Sequence, residues 1–314
     1  MMNESQPPQV LFDEFPPATL AEWEKAALAT LKGRPLESLA WTLDADIVMK
    51  PFYRDYAPPA DSAAPGDFPF RRGDGLLAAG EGWQVVQEIA VDGDAALVRM
   101  KEALDAGVYA FKLYPHGGSV ATPALYQPLF AALQTDAQAL HLFADAADKL
   151  QLLDALRAAL DAGPGESTQL TGCFFHAASL NPGLSGQWDR EAETLKRVGE
   201  AWLHFRCLGF DLGVFAESGA TPVQQMAYGL AAVAEYVAVM ADKGIAPETV
   251  LKNVAFAFSI DSSFFPEMAK LRAFRSLYAR LLTAYALDNP ASYMPFVLAQ
   301  STGWNLTRYD RNNN

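Results

Sequence analysis

The 314-residue sequence is poor in the residues that build metal sites and disulfide frameworks: it holds two cysteines and four histidines. Cys173 and Cys207 stand far apart in apolar surroundings, so they read as buried thiols of a reducing compartment rather than a bridge. No two of His116, His141, His176 and His204 have the i,i+4 spacing of a helical metal pair, and neither cysteine completes a ligand set. Basic residues are also scarce, with 24 Lys and Arg against 37 Asp and Glu, for a net charge of −13. Apart from the helical Arg272/Arg275/Arg280 face there is no basic cluster longer than two residues, which excludes the cationic stripe that nucleic acid binding requires. Long hydrophobic runs are missing too. The longest nearly uncharged stretch, Ser218–Met240, carries Pro222, two glutamines and Glu235, and reads as a buried amphipathic helix. The start, Met1-Met2-Asn3-Glu4-Ser5, has neither a basic region nor an apolar one, so no secretion signal is expected and the cytoplasm is the default location.

What is present is apolar substance: 51% hydrophobic and 11% aromatic residues, enough to offset chain entropy with a large core. Two regions follow. Residues 1–80 form an N-terminal part, with a helix over Thr19–Leu31 whose apolar face runs through Leu20, Trp23, Ala27 and Leu31 and which Gly33 and Pro35 stop. An extended arm comes next, with the Pro-rich stretch Ala57–Gly66, where proline and glycine forbid helix and disfavour a central strand. Residues 81–314 repeat a short apolar run, a turn and a helix. Strands are expected at Trp83–Ile89, Val108–Leu113, Leu140–Ala144, Leu170–Phe175, Asp211–Phe215, Val254–Ile260 and Tyr293–Leu298. Helices are expected at Ala95–Ala106, Lys149–Ala162, Ala192–Leu208, Gln224–Lys243 and Phe264–Ala286. Apolar strands alternating with helices predict an α/β fold, a (β/α)8 TIM barrel. Seven strands leave the first and last edges of a barrel unpaired, so either an eighth strand is hidden in the pattern or the barrel is truncated after the seventh; truncation is the expectation.

Few residues carry a chemical signal of their own. Arg71-Arg72-Gly73-Asp74-Gly75 lacks phosphate-loop spacing and reads first as a turn. His116 and His176 each follow an apolar run at an expected strand C-terminus, where barrels place their chemistry, although a hydrogen-bonded loop or core histidine is the simpler reading. Glu217 follows the fifth expected strand, and Ser218 or Thr221 suits a helix cap after it. Glu267 and Lys270 fit a solvated or interface i,i+3 ion pair. No Ser/His/Asp triad, acid pair or CxxC pair rises above these structural readings.

Five segments in order resemble the methylmalonyl-CoA mutase family. Phe12-Asp13-Glu14-Phe15-Pro16-Pro17 followed by Glu22-Trp23 is similar to its acidic-aromatic opening, and Pro69-Phe70-Arg71-Arg72-Gly73 to its Pro-Phe-Thr-Arg-Gly. Glu217-Ser218-Gly219-Ala220 resembles its Glu-Ala-Gly-Ala, and Phe264–Arg275 its Phe-Phe-x-Glu-x-Ala-Lys-x-Arg-Ala-x-Arg helix. Gln300-Ser301-Thr302-Gly303-Trp304-Asn305-Leu306-Thr307 resembles its Gln-Thr-Ser-Gly-Trp-Ser/Asn-Leu-Thr; these last two segments are the specific ones. The resemblance implies a barrel that takes an acyl-CoA along its axis, while a separate domain holds adenosylcobalamin, the group that makes the radical.

Departures from the pattern shape what the resemblance implies here. Where active members have Pro-Tyr after the Arg-Gly, this chain has Asp74 and Gly75. Their Gly-Tyr-His before the matched Glu falls on Leu212, Gly213 and Val214. Their CoA-contacting Arg and Ser fall on Asn253 and Ala255, and a further His falls on Leu298. The segment Asn181–Gly186 supplies no match for the substrate-carboxylate Arg. The cobalamin-binding Asp-x-His-x-x-Gly is absent, since Tyr114, Ala139, Phe174 and Trp202 stand two residues before the four histidines. Arg72, Gly75, Val214, Glu217, Asn253, Ala255, Leu298 and Gln300 are therefore expected to line a vestigial acyl-CoA pocket, with the mouth narrowed or apolar. The resemblance implies a chain like the non-catalytic small subunit of a heterodimeric mutase. It would support a catalytic subunit through its arm, with adenosylcobalamin belonging to the assembled enzyme and none bound by this chain alone. The alternative is a catalytic mutase barrel that binds the CoA ester itself.

Overall fold

The computed structural model describes residues 18–53, 64–73, 83–117, 121–133, 139–143, 149–162, 171–175, 187–201, 204–304, 306, 307 and 309. The chain divides into two compact units, residues 1–62 and 63–314.

In the first unit, helix α1 (Leu20–Thr30) starts at a capping box. Thr19 accepts from the Glu22 amide while the Glu22 carboxylate accepts from the Thr19 amide, satisfying two donors that the first turn leaves free. Between this helix and the Pro-rich arm the chain forms a hairpin that the sequence pattern does not predict, β1 (Trp41–Asp44) paired antiparallel with β2 (Ile47–Met49). Trp23 stacks on Phe52 with centroids 4.3 Å apart. None of residues 18–53 is buried, and Leu28, Trp41, Val48 and Tyr53 are among its exposed apolar side chains.

Among the described residues the second unit carries seven parallel strands in sequential order: β3 (Val86–Val91), β4 (Ala110–Pro115), β5 (Ala139–Phe143), β6 (Thr171–Phe175), β7 (Phe205–Asp211), β8 (Val254–Ile260) and β9 (Phe296–Ser301). Helices alternate with them: α2 (Asp94–Asp105), α3 (Pro123–Ala132), α4 (Lys149–Asp161), α5 (Trp188–Ala201), α6 (Gly213–Glu217), α7 (Pro222–Asp242), α8 (Pro247–Lys252) and α9 (Phe264–Thr283). Strand residues alternate between two environments, as period-two geometry requires. One set, including Phe111, Leu113, Leu140, Leu142, Phe210, Phe256 and Phe258, packs outward against the helices in the main core. The other set turns inward and holds Cys173, Phe175, Ala255, Ala257 and Leu298, with Val86, Phe143 and Phe296 against them. The sheet curls far enough for opposite walls to touch. Lys112 on β4 reaches Gln300 on β9 at 2.7 Å, and His141 on β5 stacks on Phe296 of β9 at 5.0 Å. This is the curled, incomplete barrel that seven strands predict.

Some elements lie elsewhere than the sequence pattern puts them. The fifth barrel strand is Phe205–Asp211, not Asp211–Phe215, which instead enters the short helix α6; the helix expected over Ala192–Leu208 is described as Trp188–Ala201. The last strand starts three residues later than expected, because Pro290–Tyr293 forms a 3-10 turn. Helix α3 has no counterpart in the sequence reading. It contains Pro128, normally a breaker, and buries Tyr126, Leu129 and Phe130.

Candidate functional site

Barrels built of parallel strands place their chemistry where the strand C-termini meet, and two of the segments carrying the family resemblance, Glu217–Ala220 after β7 and the one opening with Gln300-Ser301 at the end of β9, lie at this end. After β7, Glu217 lies at the end of α6. Its carboxylate accepts from the Thr302 hydroxyl at 2.5 Å and from the Gly303 amide at 3.0 Å, and the Thr302 hydroxyl in turn accepts from the Trp304 amide at 3.1 Å. Residues 85 and 86 positions apart in sequence thus close on one carboxylate. Thr221, behind it, caps α7 in a box with Gln224, as the sequence predicts. On α9, the Arg275 guanidinium donates to the Phe70 carbonyl at 3.2 Å, tying the Pro69–Gly73 segment to the helix motif.

Lys270 and Glu267 correct the sequence expectation. Their ion pair is buried rather than solvated, and Lys270 also donates to the Ser259 carbonyl at the end of β8 at 2.6 Å. Burial pushes the Glu267 carboxyl above its ordinary range, against the opposing pull of Lys270. The pair fastens α9 to the strand end.

Inside the mouth, polar side chains converge from five strands. The Lys112 ammonium donates to Glu88 of β3 and Gln300 of β9, both at 2.7 Å, and lies 4.4 Å from the Phe143 ring centroid. Asp211 accepts from the Gly213 amide at 2.9 Å. Burial raises the Asp211 carboxyl, with the Gly213 hydrogen bond and the Lys112 charge acting in opposition. A Cβ on Gly213 would stand 2.8 Å from Gln300 Nε2, 2.9 Å from Asp211 Oδ1 and 3.1 Å from Ser259 Oγ, so this corner is filled by protein.

Below the mouth the lumen is aromatic. Phe143 stacks on Phe175 at 4.4 Å, and Phe175 spans to Gly209, where a Cβ would lie 2.6 Å from its ring. At the far end Arg206 donates to the carbonyls of Val254 at 2.5 Å and Met294 at 3.1 Å. Phe175, Cys173, Ala255, Ala257 and His141 are sealed from solvent.

The eight expected site residues divide accordingly. Ala255 and Leu298 lie in this lumen, buried among the rings. Gln300 and Glu217 lie at the mouth, the first bonded to Lys112 and the second to Thr302 and Gly303. Val214 is exposed in α6, one residue from the Gly213 corner. Arg72 is exposed in a turn. Asn253 sits at the opposite end, before β8, where its amide oxygen accepts from the Cys207 backbone at 3.4 Å and its amide nitrogen donates to Thr249 at 3.0 Å. Gly75 lies outside the described residues, as do Asp74, His176, residues 181–186 and residues 57–63 of the Pro-rich arm.

Glu88, Lys112 and Asp211 belong to no site motif in the sequence, while Ser259, which the sequence suggests as part of a helix-capping segment, lies within β8. The available signal was position: Lys112 interrupts Ala110-Phe111-Lys112-Leu113, and a lone charge at an inward-facing place in an apolar strand points into the lumen. Among the described residues, His116, His141 and His204 do not fit the role of cobalamin's lower ligand. His141 is sealed between Phe296 and Phe175, and neither His116 nor His204, both exposed, has a carboxylate residue two positions earlier. Among the described residues no cluster of three or more His, Cys, Asp or Glu side chains forms a metal site, and no helix is long and apolar enough to cross a membrane.

Comparison with known proteins agrees with the motifs. Residues 207–314 match the family model described as methylmalonyl-CoA mutase. A methylmalonyl-CoA mutase small subunit of Porphyromonas gingivalis is 27% identical over 96% of this chain and 50% of its own length. One from Streptomyces virginiae is 30% identical over 85% of this chain and 46% of its own. The large subunit from Porphyromonas gingivalis is 36% identical, but over only 31% of this chain and 14% of its own. The chain spans about half the length of the small subunits it matches.

Proposed function

We propose, for a chain related to the methylmalonyl-CoA mutases and most like their small subunits, that it is a supporting barrel without chemistry of its own. On this reading it pairs with a catalytic mutase subunit, and the assembly interconverts methylmalonyl-CoA and succinyl-CoA with adenosylcobalamin held by other parts of the enzyme. The observation that carries the reading is the filled lumen. An acyl-CoA threaded along a barrel axis needs a channel with polar groups to receive its amides, and burying those amides without partners costs several kcal/mol. In this chain the Phe143/Phe175 stack, Phe296, His141 and the Arg206 guanidinium occupy that axis. The pattern of similarity supports it as well, running along most of the chain for small subunits and along about a third for large ones. Within the second unit, the retained motifs are engaged in holding the rim together: Glu217 with Thr302, Lys270 with Ser259 and Arg275 with Phe70. The apolar side chains exposed on the first unit, Trp41 and Val48 among them, support a role for the N-terminal region in meeting the partner.

Reconstitution tests this. The chain is purified alone and with a co-expressed methylmalonyl-CoA mutase large subunit, and turnover is measured with adenosylcobalamin present. The reading expects no turnover by the chain alone and a stable complex with the large subunit. It further expects Glu217→Gln in this chain to leave the turnover of that complex within about twofold, because the carboxylate's partners are its own neighbours. Turnover by the chain alone would refute the reading.

A further inference from the structure

His141 is the unusual member of the lumen. It is wholly buried, and neither ring nitrogen has a hydrogen-bond partner, although buried polar groups are nearly always paired. Its ring stacks on Phe296 with centroids 5.0 Å apart and planes 22° apart, and it meets Phe175 at 6.2 Å. The groups around it can be named strand by strand. Lys112 is its register neighbour on β4, with Glu88 of β3 as counter-ion, and Cys173 is its neighbour on β6. Arg206 on β7 continues the same row, Ala255 on β8 is apolar, and Phe296 lies opposite on β9. The Cys173 thiol is held neutral by burial. No carboxylate among the described residues bonds the imidazole, while the row that contains it already holds two cations.

Two contacts cross the lumen to β9: His141 to Phe296 and Lys112 to Gln300. Among the described residues the strand that β9 pairs with in the sheet is β8. We propose that His141 makes the lumen an acid-sensitive latch: protonating its imidazole places an unpaired cation between Lys112 and the Phe296 ring, and β9 comes away from the opposite wall. The contact that seals the barrel at neutral pH is thereby the one that opens it in acid.

The direction follows from linkage. Burial, helped by the Lys112 charge, lowers His141 to about 4, against roughly 6.5 in an unfolded chain. The open form therefore binds the proton more readily, so stability rises with pH across this interval. The latch is fully closed above about pH 6.5 and loosens progressively as pH falls toward 4.

Hydrogen-exchange protection of residues 296–301 in the full chain, corrected for intrinsic rates, provides the test. Between pH 7.5 and 4.5 the wild type is expected to lose roughly 70-fold in protection beyond any loss in His141→Phe, which keeps the stack and cannot be protonated. Asp211 and Glu267 titrate in both proteins, so the difference isolates His141. Equal losses in the two proteins would overturn the proposal. Should His141→Phe fail to fold, NMR titration of the wild-type imidazole decides: a midpoint near 4 supports the latch, and one near 6.5 refutes it.

Discussion

Glu191→Ala is expected to destabilise the chain by about 3–5 kcal/mol, because it strands a buried cation. Lys149 on α4 and Glu191 on α5 meet at 2.9 Å, each side chain only 6% exposed, with the ammonium 5.4 Å from the Phe174 ring centroid. Burial works against the Lys149 charge. Glu191, by its charge and its hydrogen bond, and the Cys207 and Cys173 sulfurs together outweigh it, leaving the ammonium above its ordinary range. Removing the carboxylate leaves the desolvation cost without its offset. The double change Lys149→Met with Glu191→Leu removes both charges at similar volume and should recover most of the loss. Thermal melts followed by circular dichroism separate the two, with a drop of roughly 10 °C expected for the single variant and a much smaller one for the double. A single variant that melts with the wild type would show the pair to be hydrated.

The second large effect is expected at Gly172, where β6 lies against β5. A Cβ there would stand 1.9 Å from the Leu140 carbonyl oxygen and 2.7 Å from its carbon, both backbone atoms that no rotamer change moves aside. The residue also holds φ +138°, which side chains disfavour. Overpacking and backbone strain together put Gly172→Ala on the order of 4 kcal/mol, enough to consume much of a domain's stability. Soluble yield and urea unfolding of Gly172→Ala against Gly107→Ala check this. A Cβ at Gly107 has nothing within 4 Å, so only the strain of its φ of +85° applies.

Gly172 also shows where the sequence was legible and where it was not. Apolar runs such as Val254–Ile260 announce strands unaided, since both faces are buried and every residue is apolar except Ser259. Phe205-Arg206-Cys207-Leu208-Gly209 did not, because Arg206 and Gly209 argue against a buried strand when read locally. Both make sense only through neighbours: Arg206 donates to the Val254 carbonyl at the start of β8 and the Met294 carbonyl just before β9, and Gly209 leaves room for the Phe175 ring. Pro128 hid α3 in the same way, its cost being offset by burial of Tyr126 and Phe130. The hairpin of the first unit went unseen because its strands span only three and four residues.

At the site, the matched motifs were readable because they are contiguous in sequence. Lys112, Glu88 and Asp211 were not, since their meaning comes from the curl that brings β3, β4 and β7 toward one opening. The Glu267–Lys270 pair was visible as a spacing, but its burial against Ser259 depends on how α9 packs. In sequence His141 can be tested only for metal spacing and for the cobalamin signature; its lack of hydrogen-bond partners is a property of the closed lumen.

The most direct test of the filled lumen is calorimetric titration of the purified chain with methylmalonyl-CoA and with succinyl-CoA at neutral pH. A barrel whose axis is occupied by Phe143, Phe175, Phe296 and Arg206 predicts no saturable binding of either ester. Stoichiometric binding that Ala255→Phe abolishes would place the ester in the lumen and contradict the account.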